Sequence, residues 1–319
     1  MTGIDQWQGA QTPSDATRRP AQSHRPAGPG GRPASRGWYL AIGLNAVDPA
    51  QYGGWAGPLI ACEADARDMA AIATGVGCTG TLLLTHEATS ARVLAELADA
   101  AQQLRPGDLF ILSYSGHGGQ LGDANDEEAD ALDETWCLFD RMLIDDELYA
   151  MWARFAPGVR IVVLSDSCHS GTVARMARYE FVAQAVGMMA VTNPRQAGLS
   201  PPAGAIKAIP FERAWPVYQE RKNFYDSLQY LCGPADKANI GASVILISGC
   251  QDNQLSMDGM DNGLFTGTLK RVWADGQYGR DYESFCRDII RLMPPSQTPN
   301  YYVVGAANAG FEAQRPFSV

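Results

Sequence analysis

The sequence predicts an α/β fold, an α/β/α sandwich in which a mainly parallel sheet of six strands lies between helices. Two observations carry this. Strand-length apolar runs recur along the chain, and between most of them lie stretches with apolar residues at helical spacing, the alternation that builds a parallel sheet covered on both faces. An apolar content of 46% over 319 residues is enough to bury a full core, and the length suits one large domain or two small ones.

Residues 1–36 contain five prolines and five arginines and no periodic apolar pattern, which predicts a disordered tail, either a solvated extension or a regulatory prodomain. The folded domain then occupies residues 37–319. Trp38-Tyr39-Leu40-Ala41-Ile42-Gly43-Leu44 reads as a buried strand, and residues 62–74 place apolar side chains at helical spacing behind an acidic start. Residues 82–84 give a second short strand, and residues 89–103 a helix opened by Thr89-Ser90. Arg105-Pro106-Gly107-Asp108 turns the chain into a third strand at 109–114; a helix at 145–153 leads to a fourth at 160–165. Residues 171–240 read as an irregular segment rich in Ala, Pro and charge. A fifth strand at 243–248, helices near 263–273 and 282–292 and a last strand at 301–304 complete the pattern, with no internal repeat.

A formal net charge of -10 argues against nucleic acid or an anionic membrane as partner, because both need a basic face; the charged partner it suits is cationic. Seven cysteines occur with no Cys-x-x-Cys pair, and an odd number cannot all pair within one chain, so a disulfide scaffold or zinc ribbon is not expected. The apolar runs fall far short of the roughly 20 residues that span a bilayer, and no apolar segment follows Arg18 and Arg19. The expectation is a soluble protein of a reducing, cytoplasmic compartment.

Ligands of parallel sheets sit beyond the carboxyl ends of the strands. Two such ends carry reactive side chains here: Tyr114-Ser115-Gly116-His117-Gly118-Gly119 after the third strand and Asp166-Ser167-Cys168-His169-Ser170-Gly171 after the fourth. A thiol of pKa about 8.5 is only slightly ionised at neutral pH, and a neighbouring imidazole makes thiolate available for attack on a carbonyl. Cys168 is therefore the candidate nucleophile and His117 its base and later acid. The backbone N–H groups of Gly118 and Cys168 are candidates to hold the oxyanion. Either residue alone would read as ordinary core, but both lie in glycine-bearing turns after consecutive strands, about 50 residues apart.

These two blocks resemble the signature blocks of metacaspases and their prokaryotic relatives, the orthocaspases, within the caspase-like cysteine peptidases. Supporting blocks occur in the family's order: Ala61-Cys62-Glu63-Ala64-Asp65-Ala66, Leu132-Asp133-Glu134-Thr135, Ile144-Asp145-Asp146-Glu147-Leu148 and Ile247-Ser248-Gly249-Cys250-Gln251-Asp252. The likeness runs from about residue 37 to about residue 305, leaving out the tail and parts of 171–240. It implies a caspase-like fold and cysteine endopeptidase activity through an acyl-enzyme, with no organic cofactor.

An acidic residue two before the nucleophile, Asp166, points to a cationic P1 side chain, Arg or Lys, where true caspases hold aspartate. The resemblance adds Asp65 to this S1 pocket, flanked by Cys62 and Ser115; Asp65 reads equally well as a carboxylate stabilising a helix N-terminus. The resemblance also implies Ca2+ ligands at Asp133, Asp145 and Asp146, with hard oxygens that suit the ion. The acidic residue expected after the nucleophile is missing, since residues 174–178 read Ala-Arg-Met-Ala-Arg. Arg175 and Arg178 would instead suit an acidic pocket as autocleavage or pseudosubstrate positions. Substrates implied are proteins or peptides with Arg or Lys at P1, and by family analogy a toxin or pore-forming partner. A serine hydrolase is excluded because no serine has glycine at both flanking positions of a Gly-x-Ser-x-Gly elbow. The non-enzyme alternative is a caspase-like scaffold, whose usual mark, loss of the Cys or His, is absent.

Overall fold

The computed structural model describes residues 35–122, 132–168, 206–233, 239–250 and 256–319; residues 1–34 of the tail expected over 1–36 lie outside them. Six strands form the main sheet: β1 (Gly37–Gly43), β2 (Cys78–Leu84), β3 (Leu109–Ser115), β7 (Arg160–Asp166), β8 (Ser243–Ser248) and β9 (Asn300–Gly305). Their order is β2-β1-β3-β7-β8-β9, parallel throughout except that β9 runs antiparallel to β8 at one edge. This is the six-stranded, mainly parallel α/β/α sandwich that the strand and helix alternation predicts.

Period-two alternation divides each central strand between two cores. Leu40, Ile42, Phe110, Leu112, Ile161, Val163 and Val244 point to one face, where they meet Val93 and Leu97 of α2 (Ser90–Gln103) and Leu148 and Trp152 of α3 (Asp145–Trp152). Leu109, Ile111, Val162, Leu164, Ile245 and Ile247 point to the other. There they pack on Met69 of α1 (Cys62–Gly75), Phe265 and Trp273 of α6 (Leu264–Trp273), and Phe285 and Ile289 of α7 (Tyr282–Leu292). β3 and β7 are buried at every residue, as strands covered on both faces must be.

Three features depart from the sequence expectation. β2 begins four residues earlier than the apolar run at 82–84, because its first half, Cys78-Thr79-Gly80-Thr81, is a polar edge stretch paired to β1. A second, three-stranded antiparallel sheet joins β4 (Gly118–Gly122), β5 (Leu132–Cys137) and β6 (Met142–Ile144). The segment read as irregular contains α4 (Phe211–Glu220) and α5 (Lys222–Cys232), the former hidden by the internal Pro216. A short α8 (Ala309–Glu312) closes the chain.

Parallel pairing sets up the site. Ser115 at the end of β3 is in register with Asp166 at the end of β7, so His117 and Cys168 each lie two residues past a matched pair. All seven cysteines are free thiols, and among the described residues no helix is long and apolar enough to cross a membrane.

Candidate active site

His117 is buried, and its orientation is fixed from two sides. The Tyr114 hydroxyl donates to the His117 carbonyl at 2.7 Å, and the imidazole tilts against Trp55 with ring centroids 4.7 Å apart. Its Nε2 lies 2.8 Å from the Gly57 carbonyl oxygen. A carbonyl only accepts, so Nε2 carries the proton and Nδ1 is the basic nitrogen, with no hydrogen-bond partner among the described residues. Gly57 has φ +50°, and a Cβ there would sit 2.8 Å from Nε2, so both backbone and ring require glycine at this position. Burial pushes the His117 pKa down to about 4, with the Gly57 carbonyl opposing, and the ring is neutral at pH 7.

Cys168 is fully buried. Its thiol meets the backbone of Ser256, whose N–H donates to Sγ and whose carbonyl lies 3.5 Å from it. Cys250 lies beside it and donates to the Ser167 carbonyl at 3.2 Å.

The sequence-nominated Asp65, Asp166, Ser115 and Cys62 come together in one acidic pocket, delivered by the first turn of α1 and the ends of β7 and β3. The pocket is occupied from within. Lys207, with no exposed side-chain surface, donates from Nζ to Asp65 Oδ2 and to Ser115 Oγ, each at 2.9 Å, and forms an ion pair with Asp166 Oδ2 at 3.0 Å. Burial by itself would lower the Lys207 pKa, but Asp166 and Asp65 outweigh it and hold it well above its ordinary value. Other donors finish the carboxylates. Asn262 and the Gly263 N–H each reach Asp65 Oδ1 at 2.9 Å, the Thr266 hydroxyl reaches Asp166 Oδ2 at 2.9 Å, and the Ser256 hydroxyl donates to Asp166 Oδ1. Gly263 floors the pocket, since a Cβ there would lie 2.3 Å from Lys207 Nζ and 2.5 Å from Asp166 Oδ2. A third carboxylate, Asp258, accepts the Ile60 and Ala61 N–H groups at 2.6 and 3.1 Å; burial pushes its pKa up. Burial likewise pushes the Cys62 thiol up, which leaves it a neutral wall of the pocket.

The backbone of Lys207 is held as closely as its side chain. Its carbonyl oxygen accepts the Gly118 N–H at 3.0 Å and the Cys168 N–H at 2.9 Å, and its own N–H donates to the Ser256 carbonyl at 3.0 Å. Ile206 bridges Met257 in antiparallel fashion, and the Ile209 N–H donates to the Gly118 carbonyl at 2.8 Å. Residues 206–209 thus lie as an added strand between residues 256–257 and the start of β4. Two N–H groups converging on one carbonyl oxygen beside a thiol can stabilise the oxyanion of an attacked peptide.

Asp133 lies in β5, where Gln229 of α5 donates to it, and Asp145 and Asp146 open α3. Among the described residues no group of three or more His, Cys, Asp or Glu side chains is placed to hold a metal ion. Arg175 and Arg178 lie outside the described residues. Lys207, Ser256, Asp258, Gly263, Thr266 and Gly57 had not been picked out from the sequence. Of these only Lys207 carried a signal, being a cation downstream of Cys168 on the same logic that nominated the two arginines.

Residues 36–308 match the family profile described as Caspase domain. Metacaspase-1 of Kluyveromyces lactis is 28% identical over 256 residues, covering 74% of this chain and 57% of that protein. Metacaspase-1 of Candida albicans is 31% identical over 232 residues, covering 62% and 49%. The chain spans about half the length of the curated relatives it matches. A crystal structure of a Geobacter sulfurreducens protein superposes with a TM-score of 0.77 at 51% identity, covering 89% of this chain and 99% of that one.

Proposed function

The chain belongs to the caspase domain family, and from that premise we propose that it is a cysteine endopeptidase cutting proteins after Arg or Lys. The observation that carries the reading is the meeting of three parts around one peptide unit. Neutral His117 offers a free Nδ1, the Gly118 and Cys168 N–H groups share one carbonyl oxygen, and Asp65 and Asp166 hold that residue's cation. Cys168 Sγ attacks the carbonyl carbon as its proton passes to His117 Nδ1. The oxyanion is held by the two N–H groups while the peptide C–N bond breaks and the proton moves to the leaving amine. Water then hydrolyses the thioester with His117 as base. Asp65 and Asp166 set the preference for a positive P1 side chain by charge-assisted hydrogen bonds in a buried pocket.

Extended loops presenting Arg or Lys are the substrates such a cleft takes, on its own chain or on a toxin or pore-forming partner. Ca2+ at Asp133, Asp145 and Asp146 enters only as an arm of the test: the three are hard carboxylate donors, but among the described residues they are not grouped to hold an ion, and no step of the reaction is assigned to it. The test is fluorophore release from peptides ending in Arg, Lys or Asp, by wild type and Cys168→Ala, in calcium and in chelator. Hydrolysis after Arg or Lys, lost in the variant, is expected; hydrolysis after Asp would overturn the pocket assignment. Equal rates in chelator would remove the calcium.

A further inference from the structure

We propose that Cys250 is a resolving cysteine for the nucleophile: once hydrogen peroxide has oxidised Cys168, the two sulfurs join as a disulfide within one molecule, which silences the thiol reversibly and shields it from further oxidation. The inference rests on the peptidase reading only for the role of Cys168; the pairing of the two thiols stands on the sheet and its register.

Cys250 follows the end of β8, and the steps proposed for peptide cleavage make no use of it. β8 lies parallel to β7 with Ser248 opposite Ser165, and the Gly249 N–H still donates to the Ser165 carbonyl at 2.7 Å. Two residues further along each strand the same register sets Cys250 opposite Ser167, and its thiol donates to the Ser167 carbonyl at 3.2 Å. Cys168 is the next residue. With strands about 4.8 Å apart and a rise of about 3.3 Å per residue, the Cα atoms of Cys168 and Cys250 stand roughly 6 Å apart, inside the span of about 4.4 to 6.8 Å that a disulfide bridges. Their side chains pack in one buried cluster with Ala208 and Ile206, whereas Cys78, Cys137 and Cys286 lie in other parts of the core. A cysteine kept as a small apolar filler would face apolar neighbours. Cys250 faces the Ser167 carbonyl and the sulfur of the nucleophile, and a hydrogen bond with Cys168, followed by burial, holds its thiol well above the ordinary range. Cys250 therefore keeps its proton while Cys168 gives its own to His117, so one sulfur attacks the oxidant and the other resolves the product.

The chemistry balances with one peroxide. The Cys168 thiolate, its proton lodged on His117 Nδ1, attacks one peroxide oxygen. An S–O bond forms, the O–O bond breaks, and hydroxide leaves to collect that proton as water. Cys168 is then a sulfenic acid, oxidised by two electrons as the peroxide is reduced. The Cys250 sulfur attacks the Cys168 sulfur, the S–O bond breaks, and the departing hydroxide takes the Cys250 proton as a second water. A dithiol reverses the bond by two exchange steps and is itself oxidised. Cys168 is fully buried, which selects a small uncharged oxidant over bulky hydroperoxides and glutathione disulfide. Held in the disulfide, its sulfur neither attacks a peptide nor passes on to sulfinic acid.

Reduced full-length wild type, Cys250→Ser and Cys168→Ala chains are treated with hydrogen peroxide, alkylated, digested and mapped by mass spectrometry. Arg-peptide hydrolysis is measured before the peroxide, after it and after dithiothreitol. The expected product in wild type is a peptide joining Cys168 to Cys250 within one molecule, with hydrolysis lost and then recovered in dithiothreitol. Cys250→Ser should form no such peptide and should take up dimedone at Cys168 when it is present during oxidation. Without dimedone its hydrolysis should be lost beyond recovery by dithiothreitol, as Cys168 passes on to sulfinic acid. Cys168→Ala should leave Cys250 open to alkylation. Wild type in which Cys168 is oxidised while Cys250 is still alkylated, or in which Cys168 pairs with another cysteine, would overturn the proposal and leave the peptidase reading standing. So would a Cys168 that stays reduced in peroxide. A Cys168–Cys250 peptide from a chain that, when reduced, cuts no peptide at all would uphold the pair and bring down the peptidase reading. Should Cys250→Ser fail to fold, the wild-type map and the recovery in dithiothreitol still decide the matter.

Discussion

His117 is asked to be a base while shut away from water, and burial answers by favouring its uncharged form. The consequence for stability has a definite sign. The folded-state pKa is lowered to about 4 against an ordinary 6.5, so between those values the unfolded chain binds the extra proton and the folded one does not. Stability is unaffected by this residue above about pH 6.5 and falls as pH drops toward 4, by a total on the order of 3 kcal/mol. Urea melts of Cys168→Ala between pH 7.5 and 4.5 should show this slope, and Cys168→Ala/His117→Asn should show a shallower one. Asp166→Asn strips one carboxylate from a buried pocket. The ratio kcat/KM for Arg and Lys peptides should fall ~100-fold or more, the scale of about 3 kcal/mol for breaking a desolvated charge pair; assay at saturating and limiting substrate checks it. At this scale the sequence was readable where reactive side chains follow strand ends, as at His117, Cys168 and Asp166. Gly263, Thr266, Ser256 and Asp258 close the same pocket from a segment some 90 residues away, and no local pattern marks a glycine as a floor or a serine as a carboxylate's partner.

Elements were legible in proportion to how much of their surface they bury. β3, β7 and β8 are continuous apolar runs because both their faces are covered, and they stand where the runs predict them. The half-exposed edge strand β2 and the glycine-rich β4 lack that signature, and α4 carries a proline that argues against a helix although its other residues pack well. The start of α2 was readable, because capping chemistry is local: the Thr89 hydroxyl accepts the Arg92 N–H at 3.4 Å. A second cap was not read from the sequence. The Asp281 side chain accepts the Ser284 N–H at 2.7 Å at the head of α7, whose Phe285 and Ile289 enter the core. Asp281→Ala should lower unfolding free energy by about 1 kcal/mol in a denaturant titration while peptide hydrolysis stays unchanged, since the cap touches no part of the cleft.

Across the whole molecule the strand order matters more than the chain order. A cut at Arg175 or Arg178, the positions the sequence nominates for autocleavage, would fall between β7 and β8, yet these two are neighbours in the middle of the sheet, in register from Arg160 with Ser243 to Ser165 with Ser248. The two pieces of a chain cut there should therefore elute together from a sizing column as a single species and separate only in denaturant, where mass spectrometry finds two chains. A sheet joined across a severed connection has a further implication for how such a protein would behave in time. Peptide hydrolysis in water runs one way, so each molecule cut in this manner would act as a fuse rather than a dial. The activity of a population would then record how many molecules had ever been triggered, a cumulative memory that outlasts the trigger and is erased only by making new protein.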